Sequence, residues 1–127
     1  HPLAASRTIS VAQLESWDWI LPTSESEASH SVDHFFETLK MRKPTRIVES
    51  VSIMTNLGLL VDSDMIAIMP YKVAAKFVHL GLLSVLPVGQ DIPFGYVGYT
   101  LAKGRTASPA TQRLLLSLHD VASQISP

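Results

Sequence analysis

Apolar and polar positions repeat with two different periods along this chain, and each change of period marks an element. Ser10 precedes a short helix: Gln13 stands three residues on, in capping-box spacing, and Leu14 points inward. Residues 17–21, Trp-Asp-Trp-Ile-Leu, read as a strand of aromatic and branched side chains ended by Pro22. Ser24 and Glu27 have the spacing of a second capping box. Behind them Ala28, Val32, Phe35, Phe36 and Leu39 recur at the i, i+4, i+7 interval of one helix face. Lys40, Arg42 and Lys43 fall in the predicted last turn, where cations suit the helix dipole, and Pro44 stops the helix.

Residues 46–50 are the next predicted strand. Ser50 can cap a helix whose inner face is Ile53, Met54, Leu57 and Leu60. Residues 65–69 form a continuous apolar run, the pattern of a strand covered on both faces. Pro70 suits the first turn of a helix carrying Val73, Ala74, Phe77 and Val78, with Gly81 as its left-handed stop. Residues 82–86 read as a further strand, ended by Pro87 and a turn over residues 89–91, and residues 94–101 as a longer one. Ser108-Pro109 starts a last helix with Leu114, Leu115, Leu118, Val121, Ala122 and Ile125 on one stripe. Strands and helices in alternation predict an α/β fold, a largely parallel sheet with helices on both faces.

Composition narrows the class. At 127 residues the chain suits one compact domain, and ten Lys+Arg against eleven Asp+Glu leave a formal charge of −1. That balance supplies no basic excess for the phosphate backbone of a nucleic acid. Without cysteine there are no disulfides, thiolate metal sites or thiol nucleophiles. The apolar runs at residues 57–61, broken by Gly58, and at residues 65–69 are too short to span a bilayer, and no signal-peptide pattern is present. A chain that begins with His1 reads as a piece of a longer gene product.

Catalytic motifs are missing: there is no Gly-x-Ser-x-Gly elbow, no phosphate loop and no Gly-x-Gly-x-x-Gly. His30 and His34, four apart with Asp33 between them, have metal-like spacing. The sequence lacks the Glu that follows the first His of a catalytic zinc helix, however, and the helix's inner face is already taken by Val32, Phe35 and Phe36. Both histidines therefore read as surface residues. No catalytic residue, metal or cofactor is expected.

The more informative positions are two strand-to-helix junctions, residues 20–24 and 48–50. In a parallel sheet such junctions lie at the carboxyl edge, where ligands usually bind. Free N–H groups and the positive helix end favour a carboxylate or another anion there. Thr23, Ser24 and Ser50 serve either as caps alone or as caps that also meet a ligand. Glu25, Glu27 and Glu49 oppose a strongly anionic one.

These residues also carry a family resemblance. His1-Pro-Leu-Ala4 with residues 14–22 resembles the start of the second subdomain in the effector domain of LysR-type transcriptional regulators. Residues 65–70, 83–87, 96–103 and 108–118 resemble, in order, that family's strand before a proline turn, its closing strands and its last helix. One departure is Asp62-Ser63-Asp64-Met65, where family members often have a Gly-x-Gly turn. The resemblance implies one subdomain of a fold like type 2 periplasmic binding proteins. On that reading residues 1–95 are the second subdomain, and residues 96–127 are a closing strand and helix that return to an absent first subdomain. The resemblance also implies a small-molecule effector contacted by Pro22, Thr23, Ser24, Ser50, Val51 and Phe94. It further implies a cytoplasmic homo-oligomer that reaches DNA only through an N-terminal domain outside this chain, with no membrane role. The stripe from Leu114 to Ile125 would then be partly exposed, so that the chain self-associates through this helix or the helix repacks. The alternative is a fragment of a periplasmic solute-binding protein, and a more distant one an enzyme built on His30 and His34.

Overall fold

In the computed structural model, which describes residues 1–89 and 98–125, the chain divides into two compact units, His1–Gly95 and Tyr96–Pro127. The first opens with a turn of 3-10 helix, Pro2–Ala5, and continues through α1 (Val11–Glu15), β1 (Trp19–Leu21), α2 (Glu27–Thr38), β2 (Ile47–Glu49), α3 (Ile53–Val61), β3 (Ile66–Ala67) and α4 (Tyr71–His79). The second holds α5 (Pro109–Ile125).

The sheet is parallel, in the order β2-β1-β3, with Trp19 opposite both Ile47 and Ile66. Strand-helix-strand crossovers are almost always right-handed. The chain crosses one way from β1 to β2 and back the other way from β2 to β3, so α2 and α3 fall on opposite faces. The burial of β1 agrees. Trp19 and Leu21 point to one face and pack with Val32, Phe35 and Phe36 of α2, whereas Ile20 lies outside that cluster yet is only 1% exposed.

Local signals hold where they are self-contained. Ser10 and Gln13 form the complete reciprocal capping box. The Ser108 hydroxyl accepts from the Thr111 N–H at 3.2 Å, with Pro109 at the first helical position of α5. Gly81, at φ +71°, ends α4 in a left-handed turn: its N–H donates to the Val78 carbonyl and that of Leu82 to Phe77, both at 2.9 Å.

Other expectations are corrected. The cap of α2 is Ser26, not Ser24, and the cap of α3 is Ser52, not Ser50. Lys40, Arg42 and Lys43 lie beyond the last turn of α2, which ends at Thr38. Lys40 takes the left-handed conformation at φ +52°, and the Met41 N–H reaches back to the Phe36 carbonyl at 2.9 Å. That reversal drives Met41 into the core beside Phe36. The predicted strands shorten to three, three and two residues. Residues 82–86 form no strand, nor do residues 98–101, the described end of the one expected over 94–101. Leu86 and Val88 nonetheless pack against the core around a tight turn at Pro87, closed by the Val88 N–H on the Leu86 carbonyl at 2.9 Å. In α3 the expected inner face is largely uncovered, Met54 being 71% exposed.

In the second unit, Tyr99 meets His119 of α5 edge-on, ring centroids 6.0 Å apart, with the hydroxyl 3.4 Å from Nε2. Leu114, Leu118 and Val121 are exposed. Among the described residues no helix is long and apolar enough to cross a membrane.

The two left-handed helix stops predict opposite mutational signs. Lys40→Gly removes a Cβ penalty and should stabilise the protein by about 0.5–1 kcal/mol. Gly81→Ala, whose new Cβ meets nothing within 4 Å, should cost about 1 kcal/mol through backbone strain alone. Denaturant midpoints at unchanged slope measure both.

Candidate functional site

Five of the expected site residues, Pro22, Thr23, Ser24, Ser50 and Val51, lie at the carboxyl edge of the sheet. β1 and β2 end side by side, Leu21 opposite Glu49, and the Ser50 N–H extends the pairing to the Leu21 carbonyl at 2.9 Å. Pro22, Thr23 and Ser24 therefore leave β1 beside Ser50 and Val51 leaving β2. Pro22, Thr23 and Ser50 are half-buried, and Ser24 and Val51 are exposed. Phe94 lies outside the described residues.

The hydrogen bonding separates caps from free groups. Ser26 turns its hydroxyl away from its own helix and onto the Thr23 carbonyl at 2.7 Å, the same oxygen that its N–H reaches at 3.0 Å. The start of α2 consequently has no side-chain cap. Ser52 does cap α3, accepting from the Thr55 N–H at 3.3 Å and the Thr55 hydroxyl at 3.0 Å. Ser50 accepts from the Ser52 N–H at 3.2 Å. An accepting hydroxyl still has its own hydrogen to donate. The Thr23 and Ser24 hydroxyls make no hydrogen bond among the described residues. The edge thus offers hydroxyl donors, an uncapped helix start and an apolar Val51, a set suited to hydrogen-bonding an oxygen-bearing small molecule.

Glu27 stands in the first turn of α2, and Glu25 and Glu49 are exposed nearby in sequence. These carboxylates favour a ligand of low net charge over a polyanion. Among the described residues no base is in hydrogen-bond contact with the hydroxyls of Thr23, Ser24 or Ser50.

The reading of the sequence overlooked a third junction. β3 also feeds directly into a helix, with Pro70 as the N-cap of α4 and no side-chain cap bond. In the order β2-β1-β3 the chain reverses direction across β1, and ligand crevices form at such reversals, between neighbouring carboxyl ends. Residues 68–70 accordingly belong to the same edge as residues 22–24. The signal for it in the sequence is the apolar run leading into Pro70, a junction that carries no serine.

His30 and His34 are both exposed, and Asp33 pairs with Lys43 at 3.2 Å. Among the described residues no three metal-ligating side chains converge. A cavity of about 750 Å³ runs alongside β3 and reaches Ile68 and Met69; Pro22, Thr23, Ser24, Ser50 and Val51 do not line it.

Comparison with known proteins gives a consistent result. The family model described as "LysR substrate binding domain" matches residues 1–123. HTH-type transcriptional regulator GalR of Pseudomonas putida is 27% identical over 124 residues, 98% of this chain and 31% of that protein. HTH-type transcriptional regulator GbpR of Azospirillum brasilense is 24% identical over 119 residues, 93% of this chain and 35% of that protein. The chain spans about a third of the length of these curated relatives. No solved structure matches.

The division between caps and free hydroxyls is testable on stability. Ser52→Ala should cost about 1 kcal/mol, and Ser24→Ala should change stability by less than about 0.5 kcal/mol, both read from chemical unfolding. Excess zinc should leave the melting temperature unchanged, because two exposed histidines on one helix give the native state little to gain from the ion.

Proposed function

The chain belongs to the LysR substrate binding domain family, and on that premise we propose that it is the effector-sensing portion of a bacterial transcriptional regulator. The observation that supports this reading is the carboxyl edge, where the junctions after β1 and β2 leave the sheet side by side, one carrying Thr23 and Ser24 and the other Ser50 and Val51. A neutral or weakly acidic small molecule with hydroxyl or carbonyl oxygens would take those donors. Phe94 completes the proposed contact set by family resemblance.

Sensing requires that the ligand bind two conformations unequally. The edge described here is one wall of a site, and the ligand would bridge it to the other α/β subdomain of the longer protein. Closing on the ligand would change the angle between subdomains and so the arrangement of DNA-binding domains carried elsewhere in the chain. This role calls for binding and no chemistry. A regulator of this kind would work in the cytoplasm, where the DNA is. Both named relatives are transcriptional regulators, which favours this reading over a solute-binding protein of similar fold.

Leu114, Leu118 and Val121 on α5 give an exposed apolar stripe, more than a soluble surface ordinarily keeps open. Residues 96–127 would return to the first subdomain in the longer protein. In the 127-residue chain the stripe would be covered by a second copy. Light scattering at tens of micromolar should report a dimer or larger species, and Leu118→Lys with Val121→Lys should shift it to monomer. A monomeric parent chain would refute the self-association.

The effector reading is tested on the full-length protein by a thermal-unfolding screen of neutral and weakly acidic metabolites. A compound present at a hundred times its Kd should stabilise by about 2.7 kcal/mol. Thr23→Val with Ser24→Ala should then weaken that compound roughly tenfold or more, through lost hydrogen bonds, with little change in unliganded stability. Equal binding by the variant would move the site away from this edge.

A further inference from the structure

The two junctions that leave the sheet side by side are chemically unlike. The one after β1 carries Thr23, Ser24, Glu25 and Glu27. The one after β2 carries hydroxyls at Ser50 and Ser52, and from Ser50 through Val61, the whole of α3 included, the sequence has no charged residue. Exposure of the large apolar side chains is greatest where that stretch starts. Val51 is 65% exposed, Ile53 48% and Met54 71%, against 49% for Val61 at the far end of α3. Single exposed apolar side chains are ordinary on a protein surface. Three within four residues, beside the hydroxyls of the carboxyl edge, make a patch.

The backbone aims this patch at the edge. α3 follows directly on β2, so its first turn stands at the carboxyl edge, and Met54 is its second residue. A helical Cα–Cβ bond tilts towards the amino end of its helix, which starts the Met54 side chain towards the edge. Neighbouring strands lie about 4.8 Å apart, and the Ser50 N–H on the Leu21 carbonyl keeps the two junctions together. One small molecule can therefore meet Thr23 and Ser24 with one side and Val51 and Met54 with the other.

Taking the carboxyl edge as the effector site, as proposed above, we infer that the effector is amphiphilic, with its oxygens on one side and a hydrocarbon face on the other, and that Met54 selects that face. A polyol is a poor match, because hydroxyls laid against Val51 and Met54 would give up water and gain no partner. A hydrocarbon ring or chain there removes apolar area from water on both partners. Methionine suits such a face, since its unbranched thioether adapts to either shape.

The experiment uses the full-length protein, titrated calorimetrically with benzamide, benzoate and cyclohexanecarboxylate, and with glucose and myo-inositol as polyols of similar size. At least one hydrocarbon-bearing probe should bind about tenfold or more tightly than either polyol, with a Kd no weaker than about 10 mM. Met54→Ser should weaken that probe about tenfold and Met54→Leu less than about threefold, with the unliganded melting temperature unchanged in both. Hydrogen peroxide should oxidise Met54 in the unliganded protein, and the saturating probe should suppress that oxidation. Binding of neither class, or equal binding by the parent and Met54→Ser, would overturn the inference. So would a Met54 that resists peroxide without the probe, its face then being covered by protein. Tighter binding of a polyol, lost in Thr23→Val with Ser24→Ala, would overturn it while leaving the effector site at this edge. A hydrocarbon probe lost in Met54→Ser yet unaffected by Thr23→Val with Ser24→Ala would overturn the effector site itself, and the inference with it.

Discussion

Trp19 lies where three elements cross. Its indole N–H donates to the Leu14 carbonyl of α1 at 3.1 Å, and its ring meets Phe36 of α2 edge-on at 5.4 Å, with Phe35 at 6.3 Å. Such ring pairs contribute about 0.5–1.5 kcal/mol beyond the area they bury, and a buried indole N–H without a partner would cost more than that. The consequence reaches the whole sheet, because every strand pairing runs through β1. With Trp19, Ile20 and Leu21 each 2% exposed or less, β1 is fixed from both faces, and β2 and β3 take their register from it.

A central strand that is fully buried and two flanking strands that are not explain where function can reside. Ile47 and Val48 of β2 are 38% and 39% exposed, and β2 is held to β1 by main-chain bonds and by Arg46, which reaches the Ser16 carbonyl and pairs with Asp18 at the exposed amino end. Exposed ion pairs of that kind add little. Burial is therefore most complete at β1 and thins towards β2. The junction that follows β1 inherits a fixed starting point at Leu21, and the Ser50 N–H ties the neighbouring junction to it. A ligand meeting Thr23 and Ser50 would meet groups held by the best-packed strand in the chain.

Serine placement shows how closely the site depends on backbone detail. Four serines cluster at two junctions, and sequence spacing favours Ser24 and Ser50 as caps. In the fold each helix begins two residues later than that spacing implies, and Ser26 and Ser52 become the N-caps. Ser24 is thereby released from capping, and Ser26 spends its hydroxyl on the Thr23 carbonyl. The region was legible in the sequence as a pair of serine-bearing strand-to-helix junctions. Which hydroxyls remain available was not, because that depends on the residue at which each strand stops pairing.

The sequence alone determined the order of the elements from α1 to α4, the parallel α/β class and the helix ends whose signals are local. The capping box of Ser10 and Gln13, Pro109 at the start of α5 and the Gly81 stop each involve groups a few residues apart, so neighbouring residues suffice to specify them. Strand extents, by contrast, were decided by tertiary structure. Residues 82–86 have a strand's composition but no ladder, and residues 65–69 pair only at Ile66 and Ala67, since a strand exists only where another backbone supplies its hydrogen bonds. Met41 entered the core because Lys40 accepted a left-handed turn that let it reach Phe36, a contact no helical period encodes. Local chemistry could be read along the chain; pairing and burial required the partner to be in place.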